Sequence, residues 1–152
     1  MITTYACSLI LAALQGPSRD SLLAEGIRLA PMQPAAGLAR FAAILASDSL
    51  DPAANWRAAI ALNDLSLPLT GKSDRARRDS LLARGQELAR RAVRIAPGDA
   101  KALFSLGLVL GNTALTRGSK ERVRMAEEIR SLALRAIAAD SSHDGAFHLL
   151  GR

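Results

Sequence analysis

Apolar residues recur along most of this chain at intervals of three and four, the spacing of one face of an α-helix. Between residues 34 and 49, for example, this spacing relates Leu38, Phe41, Ile44 and Leu45. Short segments rich in Pro, Gly, Asp or Ser separate such stretches, and these residues are typical of helix ends and turns. The pattern therefore predicts helices joined by turns from residue 17 to residue 152.

Local signals predict where the first three helices begin and end. Ser18 and Asp20 can cap a first helix that stops near Pro31, and a second helix begins at Pro34. Asp51 precedes a proline and is suited to cap a third helix.

Two longer helices are predicted in the second half of the chain, with a shorter one between them. The first of the long helices ends at Ala96, and its predicted apolar line consists of Leu81, Leu88, Ala92 and Ile95. Asp99 caps the helix that follows. After Gly118, the second long helix carries Met125, Ile129, Leu132 and Ala136.

Two internal similarities indicate a repeat. At a constant offset of 44 residues, Ala102, Leu103, Leu106 and Gly107 correspond to Ala146, Phe147, Leu150 and Gly151. The segments "DSLLAEGIRLA" and "DSLLARGQELA" also resemble each other and place Gly26 and Gly85 inside predicted helices, where Gly costs about 1 kcal/mol relative to Ala. Similarity at such periods is typical of helical repeats, and the two glycines predict close helix contacts.

The predicted fold class is all-α, a right-handed array of antiparallel helical hairpins without a sheet. The 30 Ala and 25 Leu among 152 residues, with 3% aromatic residues, favour helix over strand. We expect about three hairpins and a further helix over residues 17–152.

The segment "ARRAVRIAPGDAKALFSLG" resembles the junction between two tetratricopeptide repeats, with Ala89, Ala92 and Pro97 before the turn and Ala102 and Gly107 after it. Residues 90–152 more closely resemble bacterial relatives of the regulator of microtubule dynamics family, a tetratricopeptide-like group. The offset of 44 exceeds the usual repeat of about 34 residues, and Ser141 stands where the turn proline is expected. No residue here specifies tubulin, so the family's cytoskeletal role is not carried over.

Residues 1–16 form an apolar segment that includes "YACSLILAAL". This run has the length of the apolar part of a signal peptide and is too short to span a bilayer. A first buried helix is the alternative. Cytoplasmic and exported, periplasmic locations therefore both stay open.

The chain has a formal net charge of +6, with 17 Arg and 3 Lys. Many arginines lie on the predicted helix of residues 75–94, among them Arg84, Arg90, Arg91 and Arg94. A solvated outer face, with Glu87 and Arg91 paired at i,i+4, is the favoured interpretation. Binding of nucleic acid or an acidic surface through this patch is the alternative, although interleaved aromatic residues and a recognition-helix motif are lacking.

The sequence predicts neither an enzyme nor a cofactor or metal site. His143 and His148 are five residues apart, which departs from the i,i+4 spacing of two ligands on one helix face, and Cys7 is a single cysteine. The segment "GNTALTRGSK" lacks the strand and the Gly-Lys-Ser/Thr ending of a phosphate-binding loop.

The predicted function is that of a non-catalytic scaffold that binds a peptide or helix of a protein partner in a concave groove. The resemblance to tetratricopeptide domains implies that the first helix of each hairpin lines this groove. The predicted lining residues are Arg57, Ala61, Asp64, Lys101, Phe104, Ser105, Leu108 and Asn112. Relatives that clamp a C-terminal carboxylate carry Asn where this chain has Ala61 and Leu108, which disfavours that mode.

The last predicted helix, capped by Asp144, carries Ala146, Phe147, Leu149 and Leu150. Helical spacing cannot turn all four side chains inward. We therefore expect either that the array continues beyond this sequence or that this edge pairs with a second copy, in which case Leu149→Glu should weaken self-association.

Overall fold

Within residues 16–151, which the computed structural model describes, the regular elements are seven α-helices and there is no strand. We number the helices in chain order as α1 Arg19–Leu29, α2 Pro34–Ser47, α3 Pro52–Ser66, α4 Arg75–Ile95, α5 Ala100–Ala114, α6 Ser119–Ala139 and α7 Asp144–Leu150. The predicted all-helical class is confirmed. The apolar run at residues 5–14 lies outside the described residues.

Side-chain caps explain three of the helix starts. Ser18 accepts a hydrogen bond from the Ser21 amide at 3.2 Å at the start of α1. Asp51 accepts from the Ala54 amide at 2.7 Å before α3, and Asp99 accepts from the Lys101 amide at 2.8 Å before α5.

The predicted cap at the start of α7 is wrong. Asp144 is the first residue of the helix, and His143 occupies the cap position without a capping side-chain bond. The sequence signal failed because both residues precede an apolar stretch, and only the backbone geometry decides which of them is the cap.

Each helix packs against the next helix in the chain, and α3 also contacts α5, which in turn contacts α7. Helix α5 is therefore surrounded by α3, α4, α6 and α7. Its buried residues are the centre of the core, together with alanines of α3 and α4 and the large side chains Phe41, Leu62 and Leu82.

Two buried glycines allow neighbouring helices to approach closely, as the sequence predicted. A Cβ at Gly26 of α1 would lie 2.9 Å from Cδ1 of Phe41 on α2. A Cβ at Gly85 of α4 would lie 3.3 Å from the carbonyl oxygen of Ala59 on α3. Gly26 lies on α1, an odd-numbered helix, and Gly85 lies on α4, an even-numbered one. Contacts between alternate helices join the odd-numbered helices α3, α5 and α7, so the two similar segments do not occupy equivalent places in this pattern.

The apolar line predicted for α4 needs one correction. Leu88 and Ala92 are buried and Leu81 is half-buried, but Ile95 is exposed at the last residue of the helix. The buried face instead turns towards Leu82 and Gly85, because the close contact with α3 runs through that glycine. The apolar line predicted for α6 is confirmed, with Met125, Leu132 and Ala136 buried and Ile129 packed against the core.

Candidate interaction surface

Helices α3 and α5 each have one face that the other described helices leave partly open. We call this surface the α3–α5 stripe and define it by its half-buried residues, with exposed Lys101 at one end: Trp56, Arg57, Ile60, Asp64, Lys101, Phe104, Leu108 and Asn112. Successive members on each helix are mostly three or four residues apart, so they follow one another along a single face. The opposite faces are buried by alanines and leucines of the core.

The stripe contains six of the predicted groove residues, but not all of them. Ser105 is buried, and its hydroxyl donates to the carbonyl oxygen of Ala102 at 2.8 Å. Ala61 is likewise buried. Because neither side chain reaches an open surface, we leave both residues out of the stripe.

A hydrogen bond between two amide side chains joins the two helices of the stripe and continues to a carboxylate on α3. Asn112 Nδ2 donates to Asn63 Oδ1 at 2.7 Å, and Asn63 Nδ2 donates to Asp64 Oδ1 at 3.3 Å. Asn63 is buried, so this chain of bonds satisfies its polar atoms inside the core. Burial raises the pKa of Asp64, while the hydrogen bond from Asn63 opposes that rise.

Arg57 carries a positive charge that no carboxylate of the described residues pairs with. Its guanidinium carbon lies 4.1 Å from the ring centroid of Trp56, a cation–π distance, and its Nε is buried without a hydrogen-bond partner among the described residues. Burial lowers the pKa of Arg57. Arginine nevertheless stays protonated at neutral pH, so the stripe presents a partly desolvated cation.

The stripe is bordered by the start of α7. The ring of His143 lies 4.9 Å from the ring of Phe104 at an interplanar angle of 44°. A Cβ at Gly145 would lie 2.7 Å from Cε2 of Phe104, so glycine is needed for the present packing. Phe104 is thereby held between two helices and keeps part of its ring exposed.

Sequence reasoning missed four residues at this surface: Trp56, Ile60, Asn63 and His143. The spacing of Ile60 from Arg57 and Asp64 was available as a signal, because i+3 and i+4 neighbours share a helix face. Asn63 could not be found in this way, since its importance depends on a contact with Asn112, 49 residues away.

The arginines of α4 are partly neutralised by carboxylates. Arg90 donates to both carboxylate oxygens of Glu128 on α6, at 2.8 and 3.2 Å. Arg91 donates to Glu87 at 3.0 Å, which confirms the predicted i,i+4 pair. Arg84 and Arg94 are exposed and make no ion pair with the described residues.

Within the described range, no helix has the length and apolar character needed to cross a bilayer. In the same part of the chain, no three side chains of His, Cys, Asp or Glu are grouped as ligands for a metal ion.

These features define an all-helical domain in which α3 and α5 expose a half-buried surface of mixed polarity. The family model described as "Regulator of microtubule dynamics protein 1-3" matches residues 32–152, which covers α2 to α7. The chain therefore belongs to this family. No curated protein matches the sequence.

Proposed function

We propose that this protein is a non-catalytic interaction scaffold whose α3–α5 stripe binds a peptide or helix of a protein partner. The proposal includes a tetratricopeptide-like array in which α3 and α5 are the first helices of successive hairpins. The contacts of α3 with α5 and of α5 with α7 support this arrangement, because first helices of neighbouring hairpins touch in such arrays.

The observation that carries the proposal is that Arg57 lies on the stripe without a carboxylate partner among the described residues, beside open aromatic and aliphatic surface. A buried guanidinium binds a carboxylate more strongly than an exposed one, because water screens the pair less. Ile60, Phe104 and Leu108 can contact apolar side chains of the same ligand. We therefore expect a ligand that combines an acidic residue with apolar residues.

The name of the family describes regulation of microtubule dynamics, and a partner connected with microtubules is the narrower form of this proposal. The name is its only support. The experiments below therefore use peptides selected for binding rather than a chosen cytoskeletal protein.

Binding of nucleic acid or an acidic surface through Arg84, Arg90, Arg91 and Arg94 is the alternative proposal. The ion pairs of Arg90 and Arg91 count against it, because two of the four charges already have carboxylate partners. Electrostatic binding to a nucleic acid would weaken steeply with salt. A stripe ligand held by apolar contacts and a single ion pair with Arg57 would show a shallower dependence on salt.

Trp56 is the only tryptophan of the chain and lies on the stripe, so its fluorescence can report binding there. Peptides selected from a random display library against the wild-type protein should change Trp56 emission when they bind. We expect Arg57→Gln and Phe104→Ala to weaken binding of these peptides at least tenfold by calorimetry.

The matched controls are Arg84→Gln and Arg94→Gln, which remove the same charge from exposed positions of α4. The peptide affinity of each control variant should stay within about twofold of the wild-type affinity, as expected for the loss of an exposed charge outside the contact. Equal affinity of the wild-type protein and the Arg57→Gln/Phe104→Ala double variant would overturn the proposal.

We also propose that the C-terminal edge pairs with a second copy of the chain. Leu115, Phe147 and Leu150 are exposed apolar residues, and Leu115 and Leu150 line the same cavity of about 430 Å³ between α5, α6 and α7. Grouped apolar surface of this kind is typical of an interaction site.

A further inference from the structure

A second cavity, of about 460 Å³, lies where the C-terminal ends of α3 and α5 meet the loop before α4 and its first turn. Its volume falls in the range of small-molecule sites, about 300 to 1,000 Å³. The lining residues that matter for the argument are Lys72, Arg75, Arg78, Asn112 and Thr116. None of these residues except Asn112 belongs to the α3–α5 stripe.

The ionisable residues that line this cavity are all positively charged: Lys72, Arg75 and Arg78. Arg75 has only a distant carboxylate neighbour, with 3.9 Å between its Nε and Oδ2 of Asp79. This separation is too long for a hydrogen bond, so the guanidinium retains its donors. Among the described residues, the lining therefore offers three cations, and the nearest carboxylate is that of Asp74, which lies beside the lining residue Gly71.

Arg78 is positioned by the protein and still has a free donor. Its Nη1 donates to the carbonyl oxygen of Leu69 at 3.1 Å, which fixes the guanidinium against the loop. Its Nε is buried and has no hydrogen-bond partner among the described residues. A buried donor without a partner is costly, and an anionic acceptor would remove that cost.

Neutral groups complete the cavity wall. Thr70 and Thr116 carry hydroxyl groups, and Asn112 is held in place by its bond to Asn63. The remaining surface is partly aliphatic, contributed by Leu67, Leu69, Leu82 and Leu115. Such a wall suits an anion that also carries an organic group, because the lining contains both cationic and aliphatic side chains.

We propose that this cavity binds an oxyanion that carries two or more negative charges, of the phosphate or polycarboxylate type. The anion is either a free small molecule or an acidic stretch of a bound peptide, since both sources present the same oxygen chemistry to the arginines. The proposal does not depend on the α3–α5 stripe, because none of the three cations belongs to it.

Calorimetric titrations at low ionic strength test this site with three probes: inorganic pyrophosphate, hexaglutamate and uncharged hexaglutamine. We expect saturable binding of pyrophosphate, hexaglutamate or both, and no binding of hexaglutamine. Binding of pyrophosphate identifies a site for small anions, whereas binding of hexaglutamate alone identifies a site for acidic peptides. If neither anion binds by 10 mM, a concentration on the order of a hundred-fold above a moderate 0.1 mM site, the proposal is overturned.

The variant Lys72→Gln/Arg75→Gln removes two cavity charges from exposed side chains, so the fold should be unaffected. We expect the dissociation constant of the bound anion to rise at least tenfold. The matched control is Lys120→Gln/Arg124→Gln on α6, since Arg124 also has a carboxylate neighbour at 3.9 Å. Equal weakening by both double variants would mean non-specific attraction and would contradict the site.

Arg78 needs a conservative test because its side chain also bonds the loop. Arg78→Lys keeps the charge but removes the planar set of donors. We expect it to weaken anion binding at least threefold while far-ultraviolet circular dichroism stays unchanged. Unchanged affinity in this variant, together with unchanged affinity in Lys72→Gln/Arg75→Gln, would show that the anion binds elsewhere.

Discussion

Helices α5 and α7 carry an Ala, a large apolar residue and a Leu at the same spacing, and they bury the two large residues to different extents. The two alanines, Ala102 and Ala146, are both fully buried. At the next position Leu103 is 1% exposed and Phe147 is 50% exposed, and Leu106 at 3% contrasts with Leu150 at 41%.

The number of neighbouring helices explains the difference. Four helices pack against α5, whereas within the described residues α7 packs mainly against α5 and α6. The alanine is buried in both cases, whereas the large residues are buried only on the helix that has more neighbours. An apolar pattern therefore shows what a helix is able to bury, and the packing decides how much of it is buried.

The largest expected effect compares the two large residues directly. Leu103→Ala should lower the free energy of unfolding by about 2 to 5 kcal/mol, because it leaves a cavity in the core. Phe147→Ala should cost about 1 kcal/mol or less, because half of that ring is already in water. Urea unfolding followed by Trp56 fluorescence measures both, and similar losses would contradict the comparison.

The exposed side of α7 gives the second prediction. Phe147→Glu or Leu150→Glu should weaken self-association at least tenfold, about 1.4 kcal/mol, in analytical ultracentrifugation. Leu149→Glu is the wrong test, since Leu149 is buried and its Cδ1 would lie 2.7 Å from a Cβ at Gly107. A wild-type protein that stays monomeric at high concentration would refute pairing through this edge.

The third prediction compares the loss of stability when an acidic residue is removed at the start of α5 or of α7, and the expected losses are smaller. Asp99→Ala should cost about 1 kcal/mol, because the Asp99 side chain accepts a bond from the Lys101 amide before α5. Asp144→Ala should cost about 0.5 kcal/mol or less, because Asp144 lies inside the first turn of α7, where its charge interacts favourably with the helix dipole. Thermal unfolding of both variants measures this difference, and a larger loss for Asp144→Ala would reverse it.

The smallest effect concerns the turn before α7. Asp140 Oδ1 accepts bonds from the hydroxyl and the amide of Ser142, at 2.7 and 2.9 Å, and these bonds lower the pKa of Asp140. Its contribution to stability is thus complete above the ordinary aspartate pKa of about 3.9 and is lost as the pH falls through the lowered value.

Nuclear magnetic resonance titration of the Ser142 amide measures this pKa directly. Ser142→Ala should raise the midpoint, because the hydroxyl bond is the largest cause of the shift. An unchanged midpoint in Ser142→Ala would contradict this account.

Local signals in the sequence were enough to predict most helix boundaries. Three of these signals lie at the start of the helix that they predict: Pro34, Asp51 and Asp99. Each affects only the first turn of that helix, so no distant contact is needed to interpret it. The class of the fold followed in the same way from spacing and composition.

The candidate surface was less predictable. Helix α5 has apolar residues on several faces, so spacing alone could not decide that Ser105 is buried while Leu108 is half open. Which of these two side chains is buried depends on where α3, α6 and α7 pack against α5. The shared "DSLLA" segments each precede a glycine at a helix contact, of α1 with α2 and of α4 with α3, and the sequence alone does not decide which helices meet there.

The ion pair between Arg90 and Glu128 has a mechanical consequence. It joins α4 to α6, which make few or no other contacts with each other, and therefore helps to fix the distance between these two helices. Both side chains are partly in water, and salt screens such a pair. We expect this link between α4 and α6 to weaken as ionic strength rises, so that the two helices can move apart. Because α3 packs on α4 and α5 packs on α6, the shape of the α3–α5 stripe would then respond to the salt around it.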